Sequence, residues 1–314
     1  SLSLSLRTEI SRAISLVRAL SKVAEGTCTI YFIPSEYPDP KAFPDRSITL
    51  EIDSEAFSIA KMLLVEVFGF STLELYGGKD KEISGKRRDV LNEMIARLQK
   101  NEPIQYIIGI ETFGGLTFEV NANVLIPRPE TLELVQWIVE DWRTKPAGRI
   151  LDVGTGSGCI AISLANRIPQ AKVEAWDVSE DALEVARKNG RRNEVEVCFC
   201  RQDVLKAEAG NVRYDVIVSN PPYIAEKEKE QMDANVLDWE PSLALFVPDD
   251  DPLLFYRKIA LLAMDILTEE GAIYFEINQA YGQETLQMLK DLGYTQVELK
   301  KDAWGNDRMI KAKR

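Results

Sequence analysis

The chain has 314 residues, 45% of them hydrophobic, with four cysteines, no histidine and a net charge of -12. The length predicts about two domains with a real apolar core, and the acidity argues against a protein that grips nucleic acid by neutralising phosphates. The lack of histidine excludes Ser-His-Asp, Cys-His and histidine-base catalysis outright, and without any Cys-x-x-Cys a zinc site is not expected.

From Glu9 to Ala24, Ile10, Ile14, Val17 and Leu20 recur at helical spacing, and Ser1 to Leu6 is too short and uncharged for a signal peptide. No apolar run reaches the roughly 18 residues of a membrane span, so a soluble, cytoplasmic protein is expected. Pro34, Pro38, Pro40 and Pro44 break the stretch from Thr27 to Leu50. Two further helices are predicted: one carries the stripe Ala56, Ile59, Ala60, Leu63, Leu64 and Val67, ending at Gly69. The other runs from Lys86 to Lys100 with Val90, Leu91, Met94, Ile95 and Leu98 inward and Pro103 beyond its end. The pattern then turns to short β: Gln105 to Gly109, Thr112-Phe113, a Gly114-Gly115 turn, and Leu116 to Val120. Pro127-Arg128-Pro129-Glu130-Thr131 poses Arg128 at the start of a helix bearing Leu132, Val135, Ile138, Val139 and Trp142.

From Arg149 onward strand and helix alternate, the pattern of an open α/β sheet. Strands are expected over Arg149–Val153, Ala171–Trp176, Glu194–Phe199, Tyr214–Ser219 and Ala272–Ile277, and helices near Gly158–Arg167, Ser179–Asn189, Pro252–Leu267 and Gly282–Leu292. Thr295–Lys301 and Asp307–Ala312 follow each other too closely for a parallel crossover, so that pair is antiparallel. Cys198 and Cys200 are spaced to share one strand face and read as reduced core residues.

Two stretches carry chemistry. Leu151-Asp152-Val153-Gly154-Thr155-Gly156-Ser157-Gly158 is a strand leading through a glycine-rich turn into a helix. Its glycines allow positive φ and close approach of a ligand, and the helix start offers free N–H groups. Asp177 closes the next strand at the distance where an acid reaches ribose hydroxyls, which points to a nucleoside-containing cofactor. The Gly-x-Gly-x-Gly spacing differs from that of NAD sites, Asp152 suits the ammonium of a methionine moiety, and Asp203, followed by Val204, is placed to accept from an adenine amino group. Any one of these acids alone reads equally well as a solvated loop carboxylate.

The second stretch, Ser219-Asn220-Pro221-Pro222-Tyr223, follows the apolar run Tyr214 to Val218. The prolines stop the strand, so Asn220 is held at its end with a side-chain amide, a backbone carbonyl and an aromatic ring facing one point. Such a site suits a planar group carrying an NH2; a capped turn with a packed Tyr is the plainer alternative.

With these motifs in this order the chain resembles a class I S-adenosylmethionine methyltransferase, and more narrowly the HemK/PrmC family of protein-glutamine N5-methyltransferases. Val124-Leu125-Ile126-Pro127-Arg128-Pro129-Glu130-Thr131, Glu240 to Leu245 and Asp302 to Arg308 extend the match, which covers about residues 55–314. The resemblance implies an α/β fold with a doubly wound, mostly parallel seven-stranded sheet whose last strand is antiparallel, plus a small helical N-terminal domain. It implies a helical substrate-binding domain over residues 1–103, a β-hairpin connector over 104–126 and a methyltransferase domain over 127–314. S-adenosyl-L-methionine is the expected cofactor, held by Gly154, Thr155, Gly156, Ser157, Gly158, Asp177, Asp203, Val204 and Asn220. The expected substrate is the Gly-Gly-Gln glutamine of peptide chain release factors, bound by Asn220, Pro221, Pro222, Tyr223 and Arg128, with Asn220, Pro221 and Tyr223 catalytic. Neither a metal, a membrane nor a specific nucleic-acid partner is implied. Methylation of a ribosomal protein glutamine, or of adenine N6 in nucleic acid, are the alternatives. The chain departs from the family at Phe246 to Asp251, where a glycine-rich stretch is usual, and at Asn278, where glycine is common.

Overall fold

A computed structural model describes residues 62–67, 69, 85–145, 148–232 and 234–314. The chain divides into two compact units, Ser1–Ile108 and Gly109–Arg314. The helix expected over Glu9 to Ala24, the proline-broken stretch and most of the helix before Gly69 lie outside the described residues. In the first unit a π-helical turn (Leu63–Val67), α1 (Gly85–Leu98) and α2 (Ile104–Ile108) are described. Leu63, Ile104 and Ile107 form a small buried cluster packed by Met94 and Leu98, whereas Val90, expected inward, is exposed.

Of the segment Gln105 to Gly109, expected as a strand, Gln105 to Ile108 belong to α2 instead and Gly109 forms the turn that follows. The segment's β-branched residues suggest extended structure, but local caps decide otherwise. The Pro103 carbonyl accepts from the N–H groups of Tyr106 and Ile107 at 3.0 and 3.1 Å, and Arg97 reaches the last carbonyls, those of Tyr106 and Ile107. Gly109, at φ 84°, then takes the left-handed conformation that ends helices cheaply. The expected hairpin begins one residue later, as β1 (Ile110–Phe113) and β2 (Leu116–Glu119). Phe113 pairs with Leu116, so Gly114 and Gly115 form the two-residue turn, both at positive φ.

The second unit continues with α3 (Pro129–Trp142), β3 (Arg149–Val153), α4 (Cys159–Arg167), β4 (Lys172–Asp177), α5 (Glu180–Arg192), β5 (Val197–Arg201) and β6 (Tyr214–Ser219). A two-residue strand β7 (Ile224–Ala225), short helices α6 (Ala234–Trp239) and α7 (Ser242–Leu245), and β8 (Phe246–Val247) follow. Then come α8 (Leu254–Ile266), β9 (Leu267–Glu276), α9 (Gly282–Asp291), β10 (Thr295–Lys301) and β11 (Asp307–Lys313). Seven strands form one sheet in the order β10-β11-β9-β6-β3-β4-β5. Pairings from β9 to β5 are parallel, while β11 is antiparallel to both β9 and β10.

Alternation along the strands divides the core in two. Ile150, Val216, Val218, Ala272 and Tyr274 face α3, α4 and the β1–β2 hairpin. Leu151, Val153, Ile217, Ile273 and Phe275 face α8 and α9. Strands buried on both faces read as continuous apolar runs, which is why β6 and β9 were recognisable. Cys198 and Cys200 do share a face, with sulfurs 3.7 Å apart, but they sit on the edge strand β5 outside the core, and Cys198 is exposed. The β7–β8 pair is parallel and minimal, too short to leave a period in the sequence. Among the described residues no helix is long and apolar enough to cross a membrane.

Candidate active site

Chain order reverses between β3 and β6, and in open α/β sheets ligands bind at the carboxyl edge of such a switch point. These two strands are parallel neighbours with Val153 opposite Ser219. Gly154 and Asn220, the next residue on each, therefore leave the sheet side by side, although 65 residues of sequence separate the opposed pair. The Ser219 hydroxyl donates to the Val153 carbonyl at 2.6 Å and ties the two strand ends together.

The glycine turn is anchored rather than loose. The N–H groups of Gly154 and Thr155 both donate to the Trp176 carbonyl at 2.9 Å, and that of Gly156 to Asp177 Oδ2 at 2.8 Å. Asp177 Oδ1 accepts from Ser179 N–H, while the Ser179 hydroxyl caps α5. Burial pushes the Asp177 carboxyl upward, an effect offset in part by these backbone donors. A cavity of about 270 Å³ opens over the turn.

Gly154, Thr155, Gly156, Ser157, Asp177, Asp203, Val204, Asn220, Pro221, Pro222 and Arg128 all line this cavity. Gly154 and Gly156 have positive φ, and a Cβ added to either would meet no atom within 4 Å. The backbone thus leaves an unfilled cradle at the height of the strand ends, with acids on two successive strands beyond it. This geometry fits a nucleoside-linked group with a polar tail, as S-adenosylmethionine requires. Asp203 is held by the Leu205 N–H and by Lys206, whose ammonium keeps its carboxyl below the ordinary range.

Three residues expected at the site are elsewhere. Gly158 does not line the cavity: its Cβ would strike Ile162 at 2.8 Å and Ala186 at 3.3 Å, so this glycine serves close packing of α4 against α5. Tyr223 is also absent from the cavity wall. Its ring packs on the α8-side core and its hydroxyl points to Glu276 Oε1 at 3.3 Å, so it is not the stacking surface expected from the motif. The prolines turn the chain between residues 220 and 223, which sends Asn220 and Tyr223 to different environments. Asp152, expected near an ammonium, is wholly buried under the turn, with Oδ2 accepting from the Thr155 hydroxyl at 2.6 Å. Burial raises its pKa to about 7.

Several residues near the site carry roles that the motifs did not disclose. Asn220 Nδ2 donates to Thr131 Oγ1 at 3.4 Å, and Thr131 Oγ1 donates to Glu276 Oε2 at 2.6 Å. Glu276 ends β9 fully buried, and desolvation raises its carboxyl above the ordinary value. Glu240, also buried, accepts from the Ile126 N–H at 3.3 Å and pairs with Arg128. Asn189 holds the hairpin to the glycine turn: its Nδ2 donates to the carbonyls of Ser157 and Glu119, and its Oδ1 accepts from Glu119 N–H. An Asn inside an amphipathic helix, on its apolar side, was the available signal for that contact.

This sheet order, with a glycine cradle at the switch point, defines a class I S-adenosylmethionine-dependent methyltransferase. The family model described as Methyltransferase small domain matches residues 134–237, and PrmC N-terminal domain matches residues 49–109. A protein of Bacteroides thetaiotaomicron named release factor glutamine methyltransferase is 52% identical over 83% of this chain and 93% of its own length. A Lactococcus lactis protein of the same name is 43% identical over 74% of this chain and 85% of its own. The chain belongs to the release factor glutamine methyltransferase family. Among solved structures, the hMettl16 catalytic domain in complex with the MAT2A 3'UTR hairpin 6 shares the fold, with a TM-score of 0.52 over 80% of this chain and 91% of that one at 14% identity.

Proposed function

We propose that this protein transfers a methyl group from S-adenosylmethionine to the side-chain nitrogen (N5) of the glutamine in the Gly-Gly-Gln motif of peptide chain release factors. The observation that carries the reading is the adjacency of Asn220 to the glycine cradle, fixed by the Val153–Ser219 register in a chain of this family. When bound, S-adenosylmethionine supplies an electrophilic sulfonium methyl.

The protein's own contribution is position and electrostatics. A carboxamide nitrogen is a weak nucleophile because its lone pair is delocalised into the carbonyl. Asn220 Oδ1 and the Pro221 carbonyl each accept one N–H of the substrate amide, which orients the nitrogen and stabilises positive charge developing on it. No strong base is then needed, in keeping with a chain that has no histidine. Gly154, Thr155, Gly156 and Ser157 receive the methionine end of the cofactor, Asp177 its ribose, and Asp203 and Val204 its adenine. Arg128 and Pro222 stand on the substrate side. Tyr223 acts behind the site by holding Glu276. The N-terminal helical region helps to hold the protein substrate. A release-factor substrate places the protein in the cytoplasm, and the net charge of -12 favours a protein partner over nucleic acid.

The test is incubation with radiolabelled S-adenosylmethionine and a mixture of purified release factors and ribosomal proteins, followed by mass mapping. Label on the Gly-Gly-Gln glutamine is the expected result. Label on another residue, or on a ribosomal protein alone, would replace the substrate.

A further inference from the structure

The buried Glu276 takes no part in the chemistry described above, and a carboxylate desolvated at a strand end is costly unless something uses it. It lies at the far end of a hydrogen-bond chain that begins at Asn220. Tyr223 Oη donates to its Oε1 and Thr131 Oγ1 to its Oε2. As a carboxylate, Glu276 can only accept. The single hydroxyl proton of Thr131 is therefore committed to Glu276, at a separation of 2.6 Å that falls within the range of a charge-assisted bond.

That commitment has a consequence for the next link. With its proton turned to Glu276, Thr131 Oγ1 offers Asn220 only lone pairs. The end of the Asn220 amide beside Thr131 must then be the NH2, which leaves the opposite end, Oδ1, as the one available to the cavity that Asn220 lines. An amide rotated by half a turn would set its oxygen against the Thr131 oxygen and present two N–H donors to a substrate that itself offers donors.

We propose that Glu276, acting through the Thr131 hydroxyl, is a positioning residue that dictates which end of the Asn220 carboxamide meets the substrate. The proposal deepens the function given above and rests on it for its turnover readout. Arg308 stabilises the arrangement from the other side. Its guanidinium is ion-paired to the buried Asp302 at 3.2 Å and, together with the Thr131 and Tyr223 hydroxyls, favours the charged form of Glu276 against the burial that pushes its carboxyl upward. Three segments distant in sequence, those carrying Thr131, Glu276 and Arg308, thereby set one rotamer.

Glu276→Gln is the discriminating substitution, because it keeps the volume but lets residue 276 donate to Thr131, which frees the threonine proton to turn toward Asn220. Glu276→Gln and Thr131→Val are expected to lower kcat at least about tenfold, or roughly 1.4 kcal/mol in barrier. Cofactor Kd and KM for the release factor should stay within about twofold of wild type, and Thr131→Ser should recover most of the rate. The orientation is also read without turnover, as a contact in nuclear magnetic resonance spectra between the Asn220 Nδ2 protons and the Thr131 methyl, present in the wild type and lost in Glu276→Gln. Wild-type kcat in Glu276→Gln with an unchanged spectrum would overturn the proposal, as would a Thr131→Ser variant no better than Thr131→Val. A wild type that shows the contact but methylates no release factor would instead sink the substrate assignment and leave the positioning role standing.

Discussion

The Arg128 guanidinium and the Glu240 carboxylate are ion-paired across 112 residues of sequence, and the same carboxylate accepts from the Ile126 N–H. One acid thus pins the Ile126-Pro127-Arg128 segment to the start of the Pro241–Leu245 stretch, and residues of both segments line the cavity. Its side chain is 1% exposed and that of Arg128 is 35% exposed. Arg128→Met leaves the buried carboxylate unpaired. A loss of roughly 2 kcal/mol in urea denaturation is expected, below the 3–5 of a fully buried pair because water screens the arginine. Arg128→Met combined with Glu240→Gln should recover most of it. Equal stability of wild type and the single variant would show that the pair contributes nothing.

Asn220 and Asp177 face one cavity but serve different partners, so their variants should separate. Asn220→Ala is expected to lower methyl transfer at least about a hundredfold, comparable to removal of one oriented polar group from a transition-state site, with cofactor affinity near normal by calorimetry. Asp177→Ala should weaken cofactor binding about ten- to a hundredfold, the range for lost hydrogen bonds to a charged group. The reverse pattern would exchange the roles assigned to the two residues.

The glycines of the turn make a second contrast. Gly158→Ala forces a Cβ to 2.8 Å from Ile162 at φ 83°, and should lower thermal stability by about 1–2 kcal/mol or more. Gly156→Ala is also at positive φ, but its Cβ enters open space in the cavity. Its main effect is expected on cofactor Kd, in excess of any loss in melting temperature. If Gly156→Ala binds cofactor normally, the cradle is not where the methionine end lies.

Asp152 predicts a stability slope with a defined sign. Its pKa is raised from 3.8 to about 7 in the folded protein, so between these values the native state holds a proton that the unfolded chain has lost. Stability therefore falls as pH rises through this window, by up to about 1.4 kcal/mol per pH unit and up to about 4 kcal/mol in all. Asp152→Asn keeps an acceptor for Thr155 and removes the titration. In the protein without cofactor it should be the more stable form at pH 8, with a difference that shrinks toward pH 4. A difference independent of pH in chemical denaturation would remove Asp152 as its source.

The strands and helices from Arg149 onward were legible because buried parallel strands and amphipathic helices leave strong periods. The cavity-lining residues were legible because glycine spacing, strand-end acids and an Asn-Pro-Pro turn are local patterns. Three things were not. Tyr223 lies one residue beyond two prolines whose combined turn no single-residue rule specifies, and it leaves the cavity its motif pointed to. The five residues of α2 have strand-like composition, and only Pro103, Arg97 and Gly109 around them make a helix. The chain from Asn220 through Thr131 to Glu276 joins three elements, and no spacing in sequence encodes a contact made only once β6, α3 and β9 are assembled.

The placement of β11 between β9 and β10 orders the assembly of the sheet in time. During synthesis β9, with its run Gly271 to Glu276 buried in the finished fold, emerges before the strand that covers its outer edge. β10 appears in between and has no partner until β11 arrives. For that interval the nascent chain carries a bare apolar strand edge, the kind of surface that recruits neighbouring chains. Chaperone dependence should therefore concentrate in the last stage of translation of this unit rather than in the closing of its parallel half.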